Sequence, residues 1–86
     1  MVYSLKLFNR FIRSTKKPVT RLILTPNEVH SLPRGKQILI HAGVGWVTIG
    51  DQDIFLYEGQ SMVVPISKHA CLISPLHKQP LVIEER

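Results

Sequence analysis

The chain has 86 residues, 44% hydrophobic and 20% charged, with a formal net charge of +5. A chain of this length makes one small domain that buries roughly 60–65% of its unfolded surface, and its composition excludes wholesale disorder. One cysteine, Cys71, excludes an internal disulfide, and no apolar run reaches the ~20 residues of a membrane-spanning helix.

Residues 1–24 lack the apolar core and cleavage site of a secretory signal, so a cytoplasmic location is expected. The basic character is local. Residues 1–21 hold Lys6, Arg10, Arg13, Lys16, Lys17 and Arg21 and no acid, whereas residues 22–86 are nearly neutral. A nucleic-acid-binding surface spread over the domain is therefore not expected.

Residues 4–13, SLKLFNRFIR, fit a short amphipathic helix. At 100° per residue Leu5, Leu7, Phe8, Phe11 and Ile12 share an arc of roughly 160°, opposite Lys6, Arg10 and Arg13. Three turns are unstable in isolation, so this segment needs a partner. It docks on the domain or a second subunit, or it lies on an anionic membrane surface or an acidic partner through Leu5, Lys6, Phe8, Arg10, Phe11 and Arg13. A cleaved targeting peptide is the remaining reading. Residues 1–18 are set apart as a basic segment and residues 19–86 as the β domain.

After the polar break Ser14–Pro18, Val19–Leu24 reads as a strand stopped by Thr25-Pro26-Asn27. Glu28–Leu32 is a short extended piece, with His30 read as a solvated loop residue. Gln37–His41 follows the turn Pro33-Arg34-Gly35. Residues 43–65, GVGWVTIGDQDIFLYEGQSMVVP, organise the chain. They read as a strand, a Gly50-Asp51 hairpin turn, a strand over Ile54–Tyr57, a glycine turn, and a strand over Ser61–Val64. Ala70–Ile73 and Leu81–Ile83 complete an expected seven or eight short strands, which predicts an all-β sandwich or barrel. Leu32-x-x-Gly35 and Leu56-x-x-Gly59 each lead into an aliphatic triplet, 24 residues apart. This echo suggests one strand–turn module used twice, as in a sheet that coils round to close a barrel.

From about Leu32 to Ser74 the chain resembles a cupin, the small β-barrel of two packed antiparallel sheets. Gly43-x-Gly45-x-Val47-Thr48-Ile49-Gly50-Asp51 is similar to that family's central hairpin. Gly59-Gln60-Ser61-Met62-Val63-Val64-Pro65 is similar to the start of its second motif. The match covers about half the chain and points to small bacterial cupin-like proteins of unassigned function. The family binds a divalent metal through His-x-His, a Glu three or four residues later, and a later His. Aligning Gly43 with the first motif's final glycine puts the paired histidine positions at His30 and Leu32 and the Glu position at Lys36. The later His position falls at Ala70, with His69 one place early. With so few ligands kept and a cation at Lys36, no metal and no other cofactor is expected.

Cys71, beside Leu72 and Ile73, reads as a buried inert thiol. No nucleophile elbow or phosphate-cradling glycine loop is present. His77 reads as exposed in its turn, while His41 ends a strand from which it could project into a barrel mouth. His41, Trp46 and His69 are the candidate ligand-binding residues, and no catalytic set is identified. The expected function is a non-catalytic, metal-free cupin-like binding or assembly module, working as a homodimer on a small-molecule or protein ligand. The alternatives are a small enzyme using His69 and His41 at the barrel mouth, or a peripheral membrane protein anchored by residues 4–13.

Overall fold

The computed structural model describes residues 19–86, and the segment expected to be an amphipathic helix lies outside them. Eight antiparallel strands follow in chain order: β1 Thr20–Leu24, β2 His30–Leu32, β3 Gln37–Ala42, β4 Gly45–Ile49, β5 Gln52–Leu56, β6 Ser61–Val63, β7 Cys71–Pro75 and β8 Leu81–Glu85. They form two four-stranded sheets, β1-β8-β3-β6 (sheet A) and β2-β7-β4-β5 (sheet B).

The strands form where β-branched and aromatic residues alternate with polar ones. Along β3, Ile38 and Ile40 are buried while Gln37 is exposed; along β4, Gly45, Val47 and Ile49 are buried while Trp46 is exposed. The inward set from both sheets makes one aliphatic interior. Ile38, Ile40, Val47, Val64, Ile73, Leu81 and Ile83 are almost fully buried, and Leu22, Ile54 and Met62 pack against them. Each such side chain contributes roughly 1.5–3 kcal/mol by leaving water.

The 24-residue echo is a real two-fold relation. Gly35 and Gly59 both have positive φ, at 80° and 87°, the third-position geometry of a type II turn. The Gly35 amide donates to the Val64 carbonyl and the Val64 amide to that of Lys36. In the matching bonds, the Gly59 amide donates to the Ile40 carbonyl and the Ile40 amide to that of Gln60. Strands β3 and β6, which follow these turns, pair antiparallel across the pseudo-axis, Ile38 facing Met62.

Three local expectations are corrected. His30 is not a solvated loop residue: it begins β2 and pairs with Ile73 of β7. Strand β5 begins at Gln52 and ends before Tyr57, because Gly50-Asp51 is a two-residue hairpin that sets Ile49 opposite Gln52. His41 does not project into the barrel mouth. Alternation along β3 turns Ile38 and Ile40 inward and Gln37, Leu39 and His41 outward, so His41 lies on the outer face of sheet A, beside the point where the β3–β8 register slips between Ile40 and Ala42.

Gly43 precedes β4 with φ 87°, and a Cβ there would stand 2.7 Å from the Pro80 carbonyl oxygen and 3.3 Å from Leu81 Cα. Gly35 has positive φ but nothing within 4 Å of such a Cβ. Gly35→Ala is expected to cost the roughly 1–2 kcal/mol of a left-handed non-glycine residue, and Gly43→Ala clearly more, since the backbone of the Pro80 turn must also move. Urea unfolding of the two variants checks the order.

Candidate functional site

The candidate ligand residues lie on three separate surfaces. His41 is on the outer face of sheet A, where its Nε2–H donates to Glu84 Oε1 at 2.7 Å. Trp46 is on the outer face of sheet B. Its indole N–H donates to Asp53 Oδ1 at 3.0 Å, and its ring stacks on Phe55 with centroids 6.4 Å apart. His69 is exposed in the loop before β7, its ring lying against Gly50, where a Cβ would meet His69 Cγ at 3.2 Å.

The polar centre that sequence reasoning missed is Glu84. On β8, Leu81 and Ile83 point inward and Val82 and Glu84 outward, yet Glu84 is only 4% exposed. It is covered from both neighbouring strands. Register sets Arg21 of β1 and Leu39 of β3 beside it. Besides the His41 bond, Arg86 Nε–H donates to Glu84 Oε2, and Arg21 Nε lies 3.6 Å from Oε1. The hydrogen bond from His41, then that from Arg86, holds the carboxyl below its ordinary range against the opposing effect of burial. Around this centre the face is partly apolar: Ile23 is 68% exposed and Val63 63%, with Val82 and Leu39 half-buried.

A second polar pair ties the sheets together. His30 of β2 donates from Nε2–H to Glu85 Oε2 of β8 at 2.7 Å. Both residues occupy inward positions, in line with buried Leu32 and Ile83. The bond therefore crosses from sheet B to sheet A at the rim of the interior.

The residues do not fit a cupin-type metal ion. Leu32 is a core residue at 3% exposure, Lys36 and Ala70 are exposed, and His30 is engaged by Glu85. Among the described residues no group of three or more His, Cys, Asp or Glu is close enough to hold a metal. Cys71 is buried, and burial pushes its thiol pKa up, away from the reactive thiolate.

Because Glu84 has a lower pKa folded than unfolded, its stabilisation is present above the unfolded value, near the ordinary carboxylate range. It is lost as pH falls through the folded value. Glu84→Gln is therefore expected to be less stable than wild type near neutrality, with the gap closing as the solution is acidified. Denaturant midpoints measured across an acid series check this.

No protein-family model matches the chain, and no curated protein matches it. Solved structures do. A cupin-2 domain containing protein from Shewanella frigidimarina superposes with TM-score 0.60 at 15% identity, over 78% of this chain and 65% of that one. A de novo designed double-stranded β-helix gives TM-score 0.61 at 17% identity, over 81% of this chain and 97% of the design. A conserved protein of unknown function from Streptococcus pyogenes gives 0.54 at 16% identity, over 81% of this chain and 65% of that one. This chain thus spans just under two thirds of the two natural proteins and nearly all of the design. At such identities the likeness is one of fold: the chain is a small cupin-like double-stranded β-helix.

Proposed function

We propose that this chain is a non-catalytic, metal-free binding and assembly module that works through the outer faces of its sheets and forms a homodimer through sheet A. The observation that carries this reading is the filling of the interior. Gly45 could leave a hole between the sheets, yet a Cβ there would meet Ile73 Cδ1 at 3.0 Å and Ile40 Cδ1 at 3.4 Å. Packing of that kind leaves a ligand no room beside Gly45 without moving core side chains. The opposite situation holds outside, where Ile23 and Val63 of sheet A, and Val19 just before β1, are more than half exposed around a sealed carboxylate.

A second copy is the occupant that suits this face. A two-fold contact covers the same patch on both molecules, and the edge strands β1 and β6 lie at its margins. Burying Ile23 and Val63 on both protomers contributes at most roughly 1.5–3 kcal/mol per side chain, a gain that must also offset the cost of association. Arg21 and Arg86 outnumber Glu84 by one charge on each face, so the two faces repel mildly at long range.

Wild-type protein is expected to sediment at twice the chain mass, and Ile23→Asp with Val63→Asp as a folded monomer. Added salt strengthens the wild-type dimer, since it screens the like charges. A wild-type protein that remains monomeric at high concentration and high salt would overturn the dimer.

A further inference from the structure

Residues 1–18 carry Lys6, Arg10, Arg13, Lys16 and Lys17 and no acid, while residues 19–86 hold six basic and six acidic residues. The net charge of +5 therefore resides wholly in the N-terminal segment. The charges of the folded domain are partly segregated as well, although Lys68 and Lys78 lie in the loops on either side of β7 of sheet B. Sheet A gathers Arg21 and Arg86 around Glu84. At the far edge of sheet B, β5 and its turns hold Asp51, Asp53 and Glu58, and no Lys or Arg occurs between positions 37 and 67. Among the described residues every ion pair is made by Glu84 or Glu85, so these three carboxylates have no cationic partner there.

The same edge displays aromatic surface. Phe55 is 45% exposed, Tyr57 54% and Trp46 38%. Trp46 stands opposite Phe55 across the β4–β5 ladder, and its indole is steadied by Asp53. Leu76, paired by its amide with the Val44 carbonyl, extends the patch toward β7. An exposed group of this kind on a sheet edge marks a contact surface.

We propose that this acidic and aromatic face of sheet B is the docking surface for the chain's own basic segment, residues 5–13. The apolar side chains Leu5, Leu7, Phe8, Phe11 and Ile12 would cover Trp46, Phe55, Tyr57 and Leu76. The Lys and Arg side chains would neutralise Asp51, Asp53 and Glu58 and stack on the rings. Charge selects the face: sheet A already has a surplus guanidinium and would repel the segment, whereas sheet B attracts it. Reach is not limiting. The stretch from Val19 back to Arg13 extends about 20 Å, against about 10 Å between packed sheets and about 15 Å across one of four strands, so Lys16 and Lys17 serve as the linker. The assignment rests on the outer faces being the working surfaces, but it uses the sheet that the dimer contact leaves free.

Trp46 is the only tryptophan in the chain, so its fluorescence reports on this surface in the full-length protein. At low salt, wild-type Trp46 is expected to be shielded from acrylamide. High salt, Arg10→Glu with Arg13→Glu, or Phe8→Asp with Phe11→Asp should each red-shift its emission and abolish the shielding, with the circular dichroism of the β domain unchanged. Asp51→Lys with Glu58→Lys should do the same, and combining that pair with the two arginine reversals should restore the shielding. Ile23→Asp with Val63→Asp should leave Trp46 quenching unchanged while altering sedimentation, so this docking and the sheet A dimer fail separately. Equal quenching of wild type and the Arg10→Glu, Arg13→Glu variant at every salt concentration would overturn the proposal. Shielding that grows with protein concentration would assign the occupant to a second copy, and salt-sensitive binding to anionic vesicles with Trp46 unshielded would assign the segment to a membrane; either result overturns it.

Discussion

Two sheets of four strands share one aliphatic interior, and the smallness of that interior constrains everything else in the molecule. Ile40 and Ile73 fill even the space left by Gly45. A barrel packed in this way keeps its fold by dispersion and the hydrophobic effect. Among the described residues, the polar bond on the inward side, His30 to Glu85, sits at the rim and joins the sheets. A polar group deeper inside would be buried unpaired.

The chemistry is consequently displaced outward, and it differs between the two faces. On sheet A a carboxylate that points away from the core is nevertheless sealed, by Arg21, His41 and Arg86 from three different strands or strand ends. A charge is tolerated there because each of its oxygens is met by a donor. On sheet B the polar groups do the reverse: Asp53 steadies an exposed indole instead of being covered by it. One face is a cationic and aliphatic surface with a fixed centre, the other an acidic and aromatic one. The two faces therefore differ in both charge and kind of apolar surface.

The two-fold relation between Gly35–Ile40 and Gly59–Val64 shows how so short a chain closes a barrel. Each turn glycine sends its amide to the strand that leaves the other turn. The two modules thus lock each other's register, and a slip in one would break bonds in both.

Sequence alone determined an all-β fold of seven or eight short strands and its glycine turns, because alternation along a half-buried strand and glycine-marked turns are local signals. The Gly50-Asp51 hairpin and the paired Gly35 and Gly59 turns were legible in that way. The resemblance of residues 32–74 to a cupin, together with Leu32, Lys36 and Ala70 at ligand positions, also lay in the sequence. What only the tertiary structure decided was which side chains meet. Glu84 looked like part of an acidic end, since its partners Arg21 and His41 are remote in sequence and are brought beside it by the β1-β8-β3 order. His41 points outward by the alternation of β3, but its bond to Glu84 depends on the pairing of β3 with β8. His41, Trp46 and His69 could be listed together from the chain, but strand parity and sheet order put them on different surfaces. Alternation tells which residues share a face of one strand; the pairing of distant strands alone tells which faces become a site.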